Sequence, residues 1–205
     1  MIAIVDYGMG NVRSLLNAFE FIGEDAEISS DPDILISADR IVLPGVGAFG
    51  DAMKAIRDRD LQPTLDHIAL KLKKPVLGIC LGMQLFAKSS AEHGAHAGLG
   101  WLDADILPLE VQAPAKVPHV GWNAVSFEPD DWLFKGLPSG ESDYYFVHSF
   151  HMVCRQPNDL IATTDHGGQV TAAVRRDNLV ATQFHPEKSQ DNGLKLLQNW
   201  LDQSF

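Results

Sequence analysis

The 205-residue chain is 45% hydrophobic and 21% charged, close to the globular average, which excludes a disordered or fibrous architecture. A formal net charge of -11 argues against a broad nucleic-acid surface, because sequence-independent affinity comes from Lys and Arg neutralising phosphates. No apolar run approaches the roughly 20 residues of a membrane-spanning helix, and the start Met1-Ile2-Ala3-Ile4-Val5-Asp6 is charged too soon for a signal peptide, so a cytoplasmic protein without membrane attachment is expected.

In chain order, Ile2 to Val5 reads as a buried strand ended by Asp6 and a glycine turn, and Val12, Leu15, Leu16, Phe19 and Ile22 follow at helical spacing. Ile41-Val42-Leu43 is a strand before Pro44-Gly45, and Ala48 to Arg59 reads as a helix. Pro75 to Cys80 is another buried strand, leading into a helix over Leu81 to Ser89. Such alternation implies a largely parallel sheet covered on both faces, with ligands at the carboxyl ends of its strands. In the second half, Ala124 to Phe127, Tyr144 to Ser149, Ile161 to Thr163, Val170 to Arg175 and Leu179 to Phe184 read as strands. Asp177-Asn178 is a hairpin turn, so some antiparallel pairing is expected. A last helix carries Leu194, Leu197, Trp200 and Leu201 on one face after a capping region at Asp191-Asn192. With no repeat and no linker, the economical reading is one α/β domain over residues 1–205 with a mixed sheet.

Only Cys80 and Cys154 are present, too few for a disulfide framework or a cysteine-rich zinc site. Gly78-Ile79-Cys80-Leu81-Gly82 places the first of them at a strand-to-helix junction between two glycines, the arrangement of a nucleophile elbow. That turn projects the sulfur into a cleft near the positive end of the following helix, which favours a thiolate. An isolated cysteine reads more readily as a small buried apolar residue, and the two flanking glycines bring the readings level. A base is found in Gln183-Phe184-His185-Pro186-Glu187-Lys188-Ser189, where extended geometry puts His185 and Glu187 on one side. Cys80, His185 and Glu187 then form a triad of nucleophile, acid/base and orienter. Acyl transfer also needs donors for an oxyanion, and the backbone N–H of Leu81 and the turn Pro44-Gly45-Val46-Gly47 are the candidates.

Two signals compete. Gly45-Val46-Gly47-Ala48-Phe49-Gly50 matches G-x-G-x-x-G, but it follows the wrong strand and a proline for a dinucleotide site. Gly8-Met9-Gly10 follows the first strand correctly but has Arg13 where the third glycine belongs. His93 with His96, and His148 with His151, have a spacing that suits metal ligation on a helix, yet both pairs fall in loop or strand context. Neither a cofactor nor a metal is expected.

Gly78-Ile79-Cys80-Leu81-Gly82-Met83-Gln84 together with His185-Pro186-Glu187 resembles the triad of the class I glutamine amidotransferases. Within that class, Asp6 to Ser14, Pro44 to Gly50, Lys116 to Asn123 and Tyr145 to Phe150 resemble the glutaminase subunits of imidazole glycerol phosphate synthases, over nearly the whole chain. The resemblance implies a three-layer α/β sandwich with a central mixed, mostly parallel sheet. It implies that glutamine is hydrolysed through a thioester on Cys80 and that ammonia passes, in a heterodimer, to a separate (β/α)8-barrel cyclase subunit. The cyclase of that family yields imidazole glycerol phosphate for histidine synthesis and an aminoimidazole carboxamide ribotide. By the same resemblance the glutamine pocket uses the backbones of Gly47 and Leu81 and the side chains of Gln84 and Glu92, with Tyr145, His148 and Ser149 closing one wall. Asn11, His119 and Trp122 match positions that face the cyclase. The isolated subunit is expected to be nearly silent, which makes the turn at Gly45, Val46 and Gly47 a candidate switch. A paralogous amidotransferase subunit serving another acceptor, such as a surface-sugar precursor, would carry the same catalytic motifs.

Overall fold

A strand buried on both faces must send alternate side chains into two different cores, and the first strand does so: Ala3 and Val5 enter one core, Ile2 and Ile4 the other. The computed structural model describes residues 1–138 and 140–205. Its first half runs β1 (Ile2–Val5), α1 (Val12–Phe21), β2 (Ala26–Ser29), α2 (Pro32–Ser37), β3 (Arg40–Leu43), α3 (Phe49–Asp58), α4 (Gln62–Asp66) with a π-helical turn at His67–Lys71, β4 (Val76–Ile79) and α5 (Leu81–Leu85). The second half runs β5 (Ser89–Ser90), β6 (His96–Ala97), β7 (Ala104–Pro108), β8 (His119–Phe127), β9 (Glu141–His148), β10 (Phe150–Cys154), β11 (Leu160–Asp165), β12 (Gln169–Arg176), β13 (Leu179–Thr182) and α6 (Gln190–Asp202).

Among the described residues the main sheet has nine strands in the order β2-β1-β3-β4-β13-β12-β11-β8-β9. It is mixed: the pairings from β2 through β13 are parallel, and those from β13 to β9 are antiparallel. Leu15 and Phe19 of α1 and Leu196, Leu197 and Trp200 of α6 fill one core, while Leu35 of α2, Met53 and Ile56 of α3, Leu65 of α4 and Met83 of α5 fill the other. The layers are therefore helix, sheet, helix. Fully burying one such side chain contributes roughly 1.5–3 kcal/mol. Packing holds α1 and α6, since neither has a side-chain capping hydrogen bond.

Several elements differ from their predicted bounds. The helix after Cys80 ends at Leu85 rather than Ser89, because Lys88 N–H donates to Ala104 O and Ser89–Ser90 pair with β7 and β6. These strands form a second sheet, β10-β7-β5-β6, which period counting did not predict. Its short strands carry too few residues to show a period. The strand predicted to reach Phe184 stops at Thr182, whose hydroxyl donates to Phe184 O and curls the chain. Finally, α6 starts at Gln190, so Asp191 and Asn192 lie inside its first turn; Ser189 occupies the cap position but spends its hydroxyl on His185 O at 2.6 Å.

Candidate active site

Cys80 lies between β4 and α5 with φ 55° and ψ -110°, a conformation that costs a non-glycine residue about 1–3 kcal/mol and is retained at functional turns. Its amide donates to Thr182 O at 2.8 Å and its carbonyl accepts from Gln84 N at 3.2 Å. A Cβ at Gly82 would overlap the Leu43 carbonyl, so helix and strand approach this closely only with glycine there. His185 and Glu187 are brought together by a 3-10 turn at Pro186–Lys188, not by the extended strand predicted for them. His185 Nδ1 lies 2.8 Å from Glu187 Oε1, with both side chains nearly inaccessible. That contact assigns Nδ1 the proton and leaves Nε2, which is buried and has no hydrogen-bond partner, as the basic nitrogen. Burial alone would lower the His185 pKa; interactions with Cys80 and Glu187 outweigh it and raise the value to about 9. The Cys80 thiol itself donates to Val147 O at 3.8 Å.

A cavity of about 310 Å³ opens over the sulfur, lined by Val46, Gly47, Cys80, Leu81, Gln84, Glu92, Val147, His148, Ser149, Phe150 and Lys188. It therefore gathers the predicted Gly47, Leu81, Gln84, Glu92, His148 and Ser149 around the nucleophile position. Ser149 stands where the chain leaves β9 for β10 and crosses from one sheet to the other. Glu92 also supports the backbone nearby, since its Oε2 accepts from Phe49 N at 2.7 Å and caps α3, which Ala48 cannot do. The predicted oxyanion donor Leu81 N–H is occupied, donating to Gly45 O at 3.3 Å.

Residues 3–204 match the family described as glutamine amidotransferase class-I. The imidazole glycerol phosphate synthase subunit HisH of Rhodopirellula baltica is 51% identical over 98% of this chain and 96% of that one. The chain belongs to the HisH family of class I glutamine amidotransferases. The Sulfurimonas denitrificans subunit HisH is 47% identical over 98% of this chain and 97% of its own length. In fold, the PurLQS structure from Thermotoga maritima superposes with a TM-score of 0.76 at 21% identity, covering 98% of this chain and 97% of that one.

In this amidotransferase several predicted positions lie elsewhere. Tyr145 does not line the cavity; its carbonyl accepts from His185 N at 2.9 Å and so steadies the backbone beneath the imidazole. Gly45 lies behind the cavity, packed against Tyr7 and Leu81. Of the residues expected to face a partner, Trp122 is 49% exposed, Asn11 is half-buried and His119 is buried. The burial of His119 departs from that expectation: its ring stacks between Phe146 and His166, and its Nδ1 meets His148 Nε2 at 2.9 Å. Since His148 Nδ1–H donates to Phe150 O and Asn123 Nδ2–H donates to His119 Nε2, both rings are neutral and their tautomers are set. Burial pulls His119 down to about 4 and His148 to about 3.

The sequence reading missed Gln183, Val147, Phe150, Lys188 and Ser189. Gln183, Lys188 and Ser189 sit within the segment that carries His185, a proximity that singles them out for inspection but assigns no role. The Val147 contact to Cys80 is made by its backbone carbonyl, which side-chain identity cannot reveal. Among the described residues no group of three His, Cys, Asp or Glu is placed to hold a metal, and no helix is long and apolar enough to cross a membrane.

Proposed function

We propose that Cys80, His185 and Glu187 perform the glutaminase reaction of this chain, the glutaminase subunit of an imidazole glycerol phosphate synthase in histidine biosynthesis. The observation that carries the assignment is the buried His185–Glu187 pair coupled to a cysteine held at positive φ. His185 Nε2 takes the thiol proton, and the thiolate attacks the side-chain amide carbon of glutamine. The resulting oxyanion needs Leu81 N–H, so turnover requires the Gly45 carbonyl to vacate that donor. His185 then protonates the departing nitrogen as ammonia leaves. Water, activated by the same nitrogen, hydrolyses the Cys80 thioester to glutamate. Glu187 stabilises the imidazolium in both halves. Glutamine sits in the cavity with Glu92 Oε1 receiving its ammonium group and Gln84, His148 and Ser149 against its backbone end.

The ammonia is delivered to a cyclase subunit that completes a heterodimer. Val120 and Trp122 of β8 pair across to Val147 and Tyr145 of β9, and these side chains form a partly exposed apolar patch beside the cavity. Trp122 meets Tyr145 edge-on, and the Lys188 ammonium lies over the Tyr145 ring. A large aromatic in such a patch is the usual anchor of a protein interface. Asn11, just before α1, is the second contact assigned to it. Residues 1–205 act as one domain, since both cores share the main sheet.

The test is glutamate release from glutamine by the purified chain, alone and with the cyclase of the same organism plus its nucleotide ligand. Strong stimulation in the complex is expected. A vigorous rate alone that the cyclase leaves unchanged would assign the chain to another acceptor enzyme.

A further inference from the structure

Gln183 is fully buried, and the reaction sequence above does not use it. Its Nε2 lies 3.7 Å from Cys80 Sγ. Its Oε1 accepts from Gln84 Nε2 at 3.0 Å, and that same Gln84 nitrogen donates to Phe150 O at 3.0 Å. This network decides the orientation of both amides. A backbone carbonyl only accepts, so the Gln84 atom at Phe150 is nitrogen; the Gln183 atom facing that nitrogen is therefore oxygen, which leaves an N–H group directed to the sulfur.

We propose that Gln183 is a further catalytic residue of the glutaminase site: its side-chain N–H donates to Cys80 Sγ and stabilises the thiolate, in an orientation locked by Gln84. The inference rests on Cys80 being the nucleophile. A neutral thiol accepts a hydrogen bond weakly, whereas a thiolate accepts a charge-assisted one about twice as strong as its neutral counterpart. In the thiol form the Cys80 S–H donates a hydrogen bond to Val147 O, and once the proton has passed to His185 that carbonyl becomes a repulsive neighbour. Gln183 N–H then supplies attraction from a fixed, fully buried position, beside the charge on His185. The lock also reaches the substrate cavity: both N–H bonds of Gln84 are spent on Phe150 and Gln183, so Gln84 offers glutamine only its carbonyl oxygen.

The experiment follows alkylation of Cys80 by iodoacetamide against pH in the full chain, with peptide mass analysis separating Cys80 from Cys154. In Gln183→Met the rate of Cys80 alkylation at neutral pH is expected to fall about tenfold. In the complex, kcat for glutamine should fall about tenfold, while synthesis from added ammonia is retained. A Gln183→Met profile that superimposes on the unmodified chain overturns the proposal. A second measurement does not depend on how well that variant folds. In the ¹⁵N-labelled unmodified chain, one glutamine side-chain amide resonance should move as Cys80 ionises and stay fixed in Cys80→Ala. Absence of any such resonance overturns the proposal. Retention of glutaminase activity by Cys80→Ala would instead remove the nucleophile assignment, and this inference with it.

Discussion

Leu81 N–H donates to Gly45 O at 3.3 Å, so the carbonyl of one candidate oxyanion residue blocks the donor of the other. Rotating the Gly45–Val46 peptide would free Leu81 and present Val46 N–H to the same site, giving two donors. The neighbourhood confines such a rotation. Tyr7 Oη donates to Pro44 O at 2.7 Å and pins the preceding peptide, and a Cβ at Gly45 would sit 2.6 Å from Tyr7 Oη and 2.8 Å from Leu81 Cβ. Gly45→Ala is expected to lower cyclase-stimulated glutamate release about a hundredfold, the scale of losing one oxyanion donor. Thermal melting of the variant measures the packing cost separately. If basal and stimulated rates both stayed at their original values, a peptide flip would be the wrong mechanism.

Replacing Cys80 by Ala should abolish glutamine-dependent turnover in the complex and leave turnover with added ammonia at its original rate. The reason is geometric: removing the sulfur leaves the elbow's backbone contacts to Thr182 and Gln84 in place. Paired assays with glutamine and with ammonium chloride read this directly. Loss of both activities would mean that Cys80 matters for assembly rather than for attack.

Glu92 caps α3 through Oε2 and borders the cavity, and two variants separate these roles. Glu92→Gln retains an acceptor for Phe49 N–H but removes the negative charge, so KM for glutamine should rise at least about tenfold, the scale of a charge-assisted hydrogen bond. Glu92→Ala loses the cap as well, at about 1 kcal/mol of stability, visible as a lower Tm. A Glu92→Gln chain with unaltered KM would leave the residue with its capping role alone.

The amount of this site that sequence reading reached follows from what each residue contributes. The candidate grouping of Cys80, His185 and Glu187 was legible because it rests on side-chain type and on short, punctuated segments. The helices α2 and α4 were not, because six and five residues span too few turns to establish a period. The second sheet escaped for the same reason, and with it the crossing at Ser149 that shapes the cavity wall. His119 illustrates a different limit. Its position in β8 opposite His148 follows from strand register, and only the three-dimensional stack between Phe146 and His166 buries it. The occupied state of Leu81 N–H was equally invisible, since a backbone rotation leaves no trace in residue identity.

The histidines predict a stability maximum near neutral pH, with different residues responsible for each limb. His119 and His148 have pKa values pulled below the ordinary 6.5, to about 4 and about 3, mainly by burial. Below about pH 6.5 the unfolded chain binds protons that the folded rings refuse, so stability falls as the pH drops toward those values. His185 has the opposite sign: with its pKa raised to about 9, its contribution is complete below about 6.5 and is lost as pH rises through 9. Tm measured between pH 4 and 10 should therefore decline on both sides. Glu187→Gln removes one of the two partners, with Cys80, that hold the His185 proton and should make the alkaline limb shallower, leaving the acid limb in place. His119→Asn removes one of the two neutral rings and should make the acid limb shallower without touching the alkaline one. An alkaline limb of full steepness in Glu187→Gln would mean that the buried His185–Glu187 pair does not control proton binding there.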